Sequence, residues 1–356
     1  MTARLVHHHA MTRILTLPGD GIGPEITEAT LAVARAAGGD LLSFETMDIG
    51  LASLAAQGST LPDPVLAAIP EADGVILGPV SHYDYSAGQP NPSAALRVEF
   101  NLFANIRPCR AREGLSILHK PMDLVIVREN TEGFYADRSM HMGPGEFMPD
   151  PDSAFSIRKI TAPAVRRVAR AAFALAAERR GKVTAVHKAN VLKLTDGLFL
   201  REVRAVAQDF PGVTLDEVIV DAAAALLIRD PERFDVIVTT NMFGDILSDE
   251  ASELSGSLGL GGSINASDTI CVAQAQHGSA PDIAGRGIAN PTSLILSAAM
   301  LFDWLGRNRN DPALSGCARR IEAAVEVTLA NPGTRTRDVG GPLDTRGFTD
   351  AVISAL

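Results

Sequence analysis

One repeated unit constrains the fold more than anything else in the sequence. It is a short run of β-branched and apolar residues, closed by a polar residue and followed by a stretch of helical periodicity. Its fullest instance is Phe234-Asp235-Val236-Ile237-Val238-Thr239-Thr240, leading into Asn241-Met242-Phe243-Gly244-Asp245-Ile246-Leu247-Ser248-Asp249. A run so apolar on both faces reads as a buried parallel strand, and Gly244 is where a helix can start. On that helix Asp245 and Asp249 lie on one face. Like charges there repel unless something positive sits between them, and a divalent cation held by oxygens fits. The plain alternative is a helix cap at Asp245 and a solvated acid at Asp249.

The unit recurs. Residues 13–17 form a strand, 18–25 a glycine-rich turn and 25–37 a helix. Further strands fall at 74–78, 123–127, 183–186 and 215–220, and 93–103 and 161–180 carry helical patterns. In the latter, Pro163 stands near the start and Gly181 at the stop. The class is α/β. Arg128, Lys188, Asp221 and Asp245 each follow a strand's carboxyl end or open the next helix, where open α/β sheets bind ligands. Glycines 19, 21 and 23 lack the G-x-G-x-x-G spacing, so a Rossmann site is not indicated. Residues 136–153, rich in Met, Gly, Pro and Asp, suit an arm or loop.

Composition narrows the classes. The 356 residues are 46% hydrophobic and 21% charged, which suits a soluble protein of one large or two medium domains. A net charge of −10 argues against nucleic acid as the main partner. Cys109, Cys271 and Cys317 are scattered and odd in number, which predicts a reducing, cytoplasmic setting. The most apolar helical stretch, 293–305, is too short to span a membrane and contains Asp303. Residues 1–10, with the triplet His7-His8-His9, lack a signal-peptide core and read as an N-terminal extension, with Met11 as the natural start.

Six separated segments carry a family resemblance: LPGDGIGPE (17–25), LR with FANIRP (96–97, 103–108), VRENTEGFY (127–135), HKANVLK (187–193), NMFGDILSDEAS (241–252) and HGSAPDIAGRGIANP (277–291). Over about residue 12 to the C-terminus the chain resembles the isocitrate/isopropylmalate dehydrogenase family of β-decarboxylating dehydrogenases, which includes the homoisocitrate and tartrate/D-malate enzymes. The resemblance implies a two-domain α/β fold with a non-Rossmann cofactor site. Residues 11–102 plus 256–356 would form the cofactor-side domain, and 103–255 the metal, substrate and dimerisation domain. Arg97, Arg107 and Arg128 resemble the clamp for a malate backbone's carboxylates, a task suited to the planar guanidinium fork. Asp221, Asp245 and Asp249 resemble the ligands of Mg²⁺ or Mn²⁺. Lys188 resembles the general base and Tyr135 the acid that protonates C3.

By the same resemblance, the sites are shared across a homodimer. Asp221 and Lys188 complete the partner's site, and 136–153 and 293–305 are candidate subunit contacts. His277, Gly278, Ser279, Ala280, Asp282 and Asn290 resemble the cofactor loop, with residues 77–90 on the nicotinamide side. Asp282 implies NAD rather than NADP, because an acid there opposes a 2′-phosphate. Two places depart from the family pattern. Gln274-Ala275 stands near where most relatives carry Glu-Pro. Before Arg97 the chain has Asn91-Pro92-Ser93, an Asn-x-Ser where isocitrate enzymes carry Ser-x-Asn and isopropylmalate enzymes an acid followed by leucines. Asn91 and Ser93 thus imply a small or polar group on C3 of a (2R)-malate-type substrate, such as D-malate or isocitrate. The alternatives are 3-isopropylmalate and, from another class, a non-catalytic regulatory subunit; this chain keeps the whole Arg–Tyr–Lys–Asp set that such subunits typically lose in part.

Overall fold

The apolar runs become strands, and most of the stretches between them become helices. The structure, a computed structural model, describes residues 11–135, 140 and 145–356. They divide into two units. One takes the described residues up to Gln89 together with Gly278–Leu356, and the other takes Pro90–His277.

The first unit begins with β1 (Thr12–Leu17), α1 (Gly23–Gly38), β2 (Leu42–Thr46), α2 (Gly50–Gln57), α3 (Asp63–Ala68) and β3 (Gly74–Leu77). β1 pairs in parallel with β2 on one side and β3 on the other. α1 starts at Gly23, so Pro24 falls in its first turn, where a missing N–H removes no helical hydrogen bond.

The second unit contains α4 (Pro92–Glu99), β4 (Ala104–Arg110), β5 (Asp123–Glu129), β6 (Glu146–Asp150), β7 (Ser153–Ser156), α5 (Ala162–Ala177), β8 (Lys182–His187), α6 (Thr195–Ala207), β9 (Thr214–Ile219), α7 (Val220–Arg229), β10 (Val236–Thr239), α8 (Asn241–Ser255), β11 (Ile264–Ala266) and β12 (Cys271–Gln274). Its strands lie in the order β12-β11-β4-β5-β10-β8-β9. β5, β10, β8 and β9 are parallel, whereas β4 runs antiparallel to β5 and β11.

Successive side chains on a strand point to opposite faces, which explains why residues 124–127 of β5 and 236–238 of β10 are apolar without alternation. Val125, Val127, Val236 and Val238 join a core with Val165, Val168 and Phe173 of α5 and Phe199 and Val203 of α6. Leu124, Ile126 and Ile237 face the other way, against Leu227 of α7 and Leu247 and Ala251 of α8. Both faces are covered, and the helices start at the strands' carboxyl ends.

The chain returns to the first unit with α9 (Thr292–Arg309), α10 (Pro312–Ala330) and α11 (Thr345–Ser354). α1 packs against all three.

Several expectations change. The helix expected over 93–103 stops at Glu99, and the chain turns into β4 through Asn101 at φ 47, a left-handed conformation that asparagine tolerates. The helix expected over 161–180 ends at Ala177. The excursion expected over 136–153 includes β6, which pairs antiparallel with β7 running just beyond it, and the rings of Phe147 and Phe155 stack at 5.2 Å; residues 136–139 and 141–144 lie outside the described residues. Stretch 293–305 is a core helix rather than a surface, with Leu294, Ile295, Leu301 and Phe302 buried inside its own unit. Cys109, Cys271 and Cys317 are free and buried. Among the described residues no helix is long and apolar enough to cross a membrane.

Candidate active site

A cluster of ion pairs is built on β4, β5 and the first turns of α8. Strand β10 ends at Thr239, Thr240 stays extended, and the helix begins at Asn241. It does not begin at Gly244, as the sequence suggested. A Cβ on Gly244 would stand 2.7 Å from Cβ and Cγ of Arg128. The glycine therefore lets a strand and a helix approach closely, and Arg128 is laid along the helix's first turn.

There Arg128 donates from Nε and Nη2 to Asn241 Oδ1, at 2.9 and 2.6 Å, and from Nη1 to Asp245 Oδ1. Asn241 is fixed in turn by donating to the Glu132 carbonyl at 3.0 Å. Arg107, from β4, donates from Nη1 to Asp249 Oδ1 and Ser248 Oγ, both at 2.8 Å, and its Nη2 is 3.7 Å from Asp245. Tyr135 Oη donates to Asp245 Oδ2 at 3.3 Å.

The arginines are buried while Asp245 and Asp249 are 36% and 50% exposed at their side chains. Two cations thus sit behind two outward-facing carboxylates. Burial lowers the Arg128 pKa to about 10, with Asp245 opposing the shift, so the guanidinium stays charged at neutral pH. Burial pushes the Asp249 carboxyl up, with Arg107 pulling the other way and Asp245 adding to the rise.

Lys188 and Asp221 form a second group. Lys188 follows β8, and its Nζ pairs with the carboxylate of Asp221 in the first turn of α7. That hydrogen bond holds Asp221 below the usual carboxylate range. Among the described residues no group of three or more His, Cys, Asp or Glu gathers to hold a metal. Within one chain, then, Asp245 and Asp249 offer two hard oxygen donors, and Asp221 does not join them. The donor chemistry fits a divalent cation, and the set is short of a third carboxylate.

On α4, Asn91 is the cap residue, its Oδ1 accepting from the Ala94 N–H at 3.3 Å. Ser93 is buried and donates to Gln274 Oε1 at 3.1 Å, and Gln274 also accepts from Asn265 at 3.3 Å. The two departures from the family pattern therefore meet in one hydrogen bond. Arg97 lies half-buried in the helix's last turn.

The cofactor-loop residues fall on both units, His277 ending the second and Gly278 beginning the remainder of the first. In the first unit the Ser279 carbonyl accepts from the Ile22 N–H at 2.8 Å, and Ser279 Oγ accepts from Ser81 Oγ at 2.8 Å. A Cβ on Gly21 would be 2.0 Å from that carbonyl. The glycine-rich turn thus makes room for this loop. Ala280 is left-handed at φ 39, Asp282 is exposed, and a Cβ on Gly278 would meet nothing within 4 Å. Backbone and carboxylate are accessible to a polar ligand there. Asn290 differs, because its side chain is engaged at both ends: Nδ2 donates to Asp338 at 2.9 Å, and Oδ1 accepts from Thr292 N–H at 3.0 Å.

Sequence reasoning missed Asn241, Ser248 and Glu132, although all three stand inside the quoted motifs. It also missed Asp20, a buried carboxylate that accepts from Leu51 N–H, Ser81 N–H and Tyr85 Oη at 2.7, 2.8 and 2.5 Å. Arg158 and Asp196 fall outside every motif.

Comparison with known proteins identifies the family. A family model described as isocitrate/isopropylmalate dehydrogenase matches residues 13–352. The chain is 42% identical over 350 residues to a 3-isopropylmalate dehydrogenase of Archaeoglobus fulgidus, covering 97% of this chain and 100% of that protein. It is 42% identical over 346 residues to an isocitrate/homoisocitrate dehydrogenase of Thermus thermophilus, covering 97% and 98%. The crystal structure of isocitrate dehydrogenase from Methylococcus capsulatus superposes with a TM-score of 0.86 at 38% identity, over 97% of this chain and 99% of that one. With a family model spanning nearly the whole chain, and with relatives this similar at full length, the chain belongs to the isocitrate/isopropylmalate dehydrogenase family and is a dehydrogenase.

Proposed function

We propose that this enzyme oxidises the C2 hydroxyl of a (2R)-malate-type acid with NAD, and that the carboxylate on C3 then leaves as CO₂. Asp245 and Asp249 would hold Mg²⁺ or Mn²⁺ together with Asp221 of a second copy. When bound, NAD takes the C2 hydride and the divalent cation stabilises negative charge on the C2 oxygen. The remaining work falls to side chains. Lys188 takes the hydroxyl proton. Arg97, Arg107 and Arg128 hold the two carboxylates, pairing bidentately where the fork allows. As the C3–carboxylate bond breaks, its electron pair moves towards C2, and Tyr135 delivers a proton to C3. The observation that carries this reading is the cluster itself: two buried, charged arginines and a tyrosine hydroxyl gathered on Asp245 and Asp249. The intact set also weighs against a regulatory subunit.

For NAD over NADP the support is Asp282, exposed in the loop that follows Ala280. A 2′-phosphate beside it meets like charge, and a tenfold preference needs only about 1.4 kcal/mol.

The C3 group is small or polar in this reading. Leu96, the leucine of α4, is fully buried, so that helix offers Ser93, Ala94 and Ala95 but no leucine wall. Each buried methylene contributes about 0.8 kcal/mol, so a missing wall weakens selection for an isopropyl group. The competing substrate is 3-isopropylmalate, favoured by one observation: the Ser93 hydroxyl and Asn91 oxygen are already engaged within the fold. A panel of D-malate, isocitrate, homoisocitrate, tartrate and 3-isopropylmalate with NAD and Mn²⁺ decides. The expected best kcat/KM belongs to a polar malate. A value for 3-isopropylmalate tenfold above every other candidate reverses the assignment.

A further inference from the structure

Lys188 and Tyr135 act at different substrate atoms in the function proposed above, on which this inference rests. Both are tied to one buried ion pair that has no role in the reaction itself. Asp196, the second residue of α6, is 0% exposed at its side chain. Its Oδ2 accepts the backbone N–H of Lys188 at 2.5 Å, and its Oδ1 accepts Arg158 Nη1 at 2.5 Å. Arg158, from the strand-to-helix connection before α5, is 6% exposed. It also donates from Nη1 to Thr195 Oγ1 at 2.7 Å and from Nη2 to Thr240 Oγ1 at 3.0 Å. Two aromatic rings flank its guanidinium, with centroids at 5.6 Å for Phe134 and 5.2 Å for Phe243. Phe134 immediately precedes Tyr135. Thr240 immediately precedes α8, and Phe243 lies in its first turn. A single planar cation therefore reaches the elements that carry Lys188, Tyr135 and Asp245.

A buried ion pair is a poor device for stability, because desolvation offsets most of its Coulomb attraction. What it gives is direction: fixed donors in a plane, near two aromatic rings, each aimed at a different segment. A lysine at 158 would be one compact charge without that fork. Misplacing a reacting group by about 1 Å costs about 100-fold in rate.

We propose that Arg158 and Asp196 are positioning residues for catalysis: their ion pair sets the backbone of Lys188 and the Phe134–Tyr135 segment together, so that in the homodimer one pair supports the lysine that removes the C2 proton in one site and the tyrosine that protonates C3 in the other. The test measures kcat and KM on the best substrate of the panel for wild type, Asp196→Asn, Arg158→Lys and Thr240→Val, and for Asp196→Asn in a Lys188→Ala background. It also measures hydrogen exchange over 187–193 and over α5. Asp196→Asn and Arg158→Lys should each lower kcat about 100-fold with KM changed less than about threefold. Thr240→Val, a near-isosteric change that keeps the fold, should lower kcat about fivefold. In the Lys188→Ala background Asp196→Asn should lower the residual rate less than about tenfold, because one of the two groups it positions is gone. Exchange over 187–193 should quicken at least tenfold in Asp196→Asn while α5 stays protected.

Multiplicative losses in the double variant overturn the proposal, as does an unchanged kcat in Thr240→Val. If the charged-pair variants do not fold, Thr240→Val and its own combination with Lys188→Ala still decide. Wild type that turns over no acid of the panel overturns the functional reading alone. In that case unchanged exchange over 187–193 separately refutes the positioning role, and quickened exchange there supports it.

Discussion

Asp245 receives Arg128 Nη1 on one carboxylate oxygen and Tyr135 Oη on the other, with Arg107 close by. It is held by three groups and still faces outward, as a cation ligand must. Asp245→Asn keeps the shape and one acceptor but removes the charge. The expected result is a folded protein with kcat down at least 100-fold, and wild-type activity abolished by EDTA and restored by Mn²⁺. Activity undiminished by EDTA would contradict the metal assignment.

Glu132 offers a different test at the same scale. Burial, with Glu129 adding, raises its carboxyl to about 7, although its two oxygens accept from Thr161 N–H at 2.7 Å and Thr161 Oγ1 at 2.9 Å. The folded state therefore binds this proton more tightly than the unfolded chain. Its contribution to stability is fully present below the ordinary carboxylate pKa near 4.3 and is lost as pH rises towards 7. Thermal melts of Glu132→Gln should lack that loss: relative to wild type, its Tm should rise from pH 5 to pH 7.5. A parallel pair of curves would show that Glu132 does not titrate in this window. The Ser93–Gln274 bond was invisible as a contact in the sequence, because its partners lie 181 residues apart.

At the scale of the element, α8 depends on Gly244 for its distance from β5. Gly244→Ala places a methyl 2.7 Å from two Arg128 carbons, and neither strand nor helix can yield without moving the other. Overpacking of this kind costs typically 1–3 kcal/mol, about the range expected for the drop in unfolding free energy. Because the displaced group is Arg128, KM for the hydroxy acid should rise as well. A variant as stable and as active as wild type would mean that β5 and α8 do not approach this closely. The start of α5 is a milder case. Thr161 caps the helix by accepting from Ala164 N–H at 3.4 Å while its own N–H and hydroxyl are held by Glu132. Thr161→Ala should cost about 1 kcal/mol, readable by denaturant unfolding. The sequence showed this cap as a Thr before Pro163 and an apolar stripe. It did not show that Glu132 sits behind it.

At the scale of the whole molecule, one chain leaves the proposed metal set at two carboxylates, with Asp221 beside Lys188 instead. Val191 and Leu194, just past Lys188, are 65% and 88% exposed, and Ile246 on the face of α8 is 59% exposed. Apolar side chains that border both halves of the site are what a second copy would cover. We therefore expect a homodimer in which Lys188 and Asp221 serve the other copy's Asp245, Asp249 and Tyr135. Mixing Lys188→Ala with Tyr135→Phe, each left with only a small residual rate, should restore activity after subunit exchange, because a mixed dimer keeps one site free of both changes. No recovery after verified exchange would show that each site is built from a single chain.

The sequence by itself determined the local rules. β-branched runs too apolar for a solvated face had to be interior strands, as β5, β8 and β10 are. Pro and Gly at fixed offsets bounded α1 and α5, and polar residues at strand ends marked Arg128, Lys188, Asp221 and Asp245. These are short-range effects, written within a few neighbouring residues. What the fold decided was everything that depends on approach between distant segments. Gly244 proved to be a contact with Arg128 rather than a helix start, and 293–305 a core helix rather than a surface. Asn290 is engaged by Asp338, and Arg158 lies close to two phenylalanines from different segments. The reason is physical: periodicity fixes which face of an element is apolar, but the charged groups that meet once those faces are buried are set by packing in three dimensions.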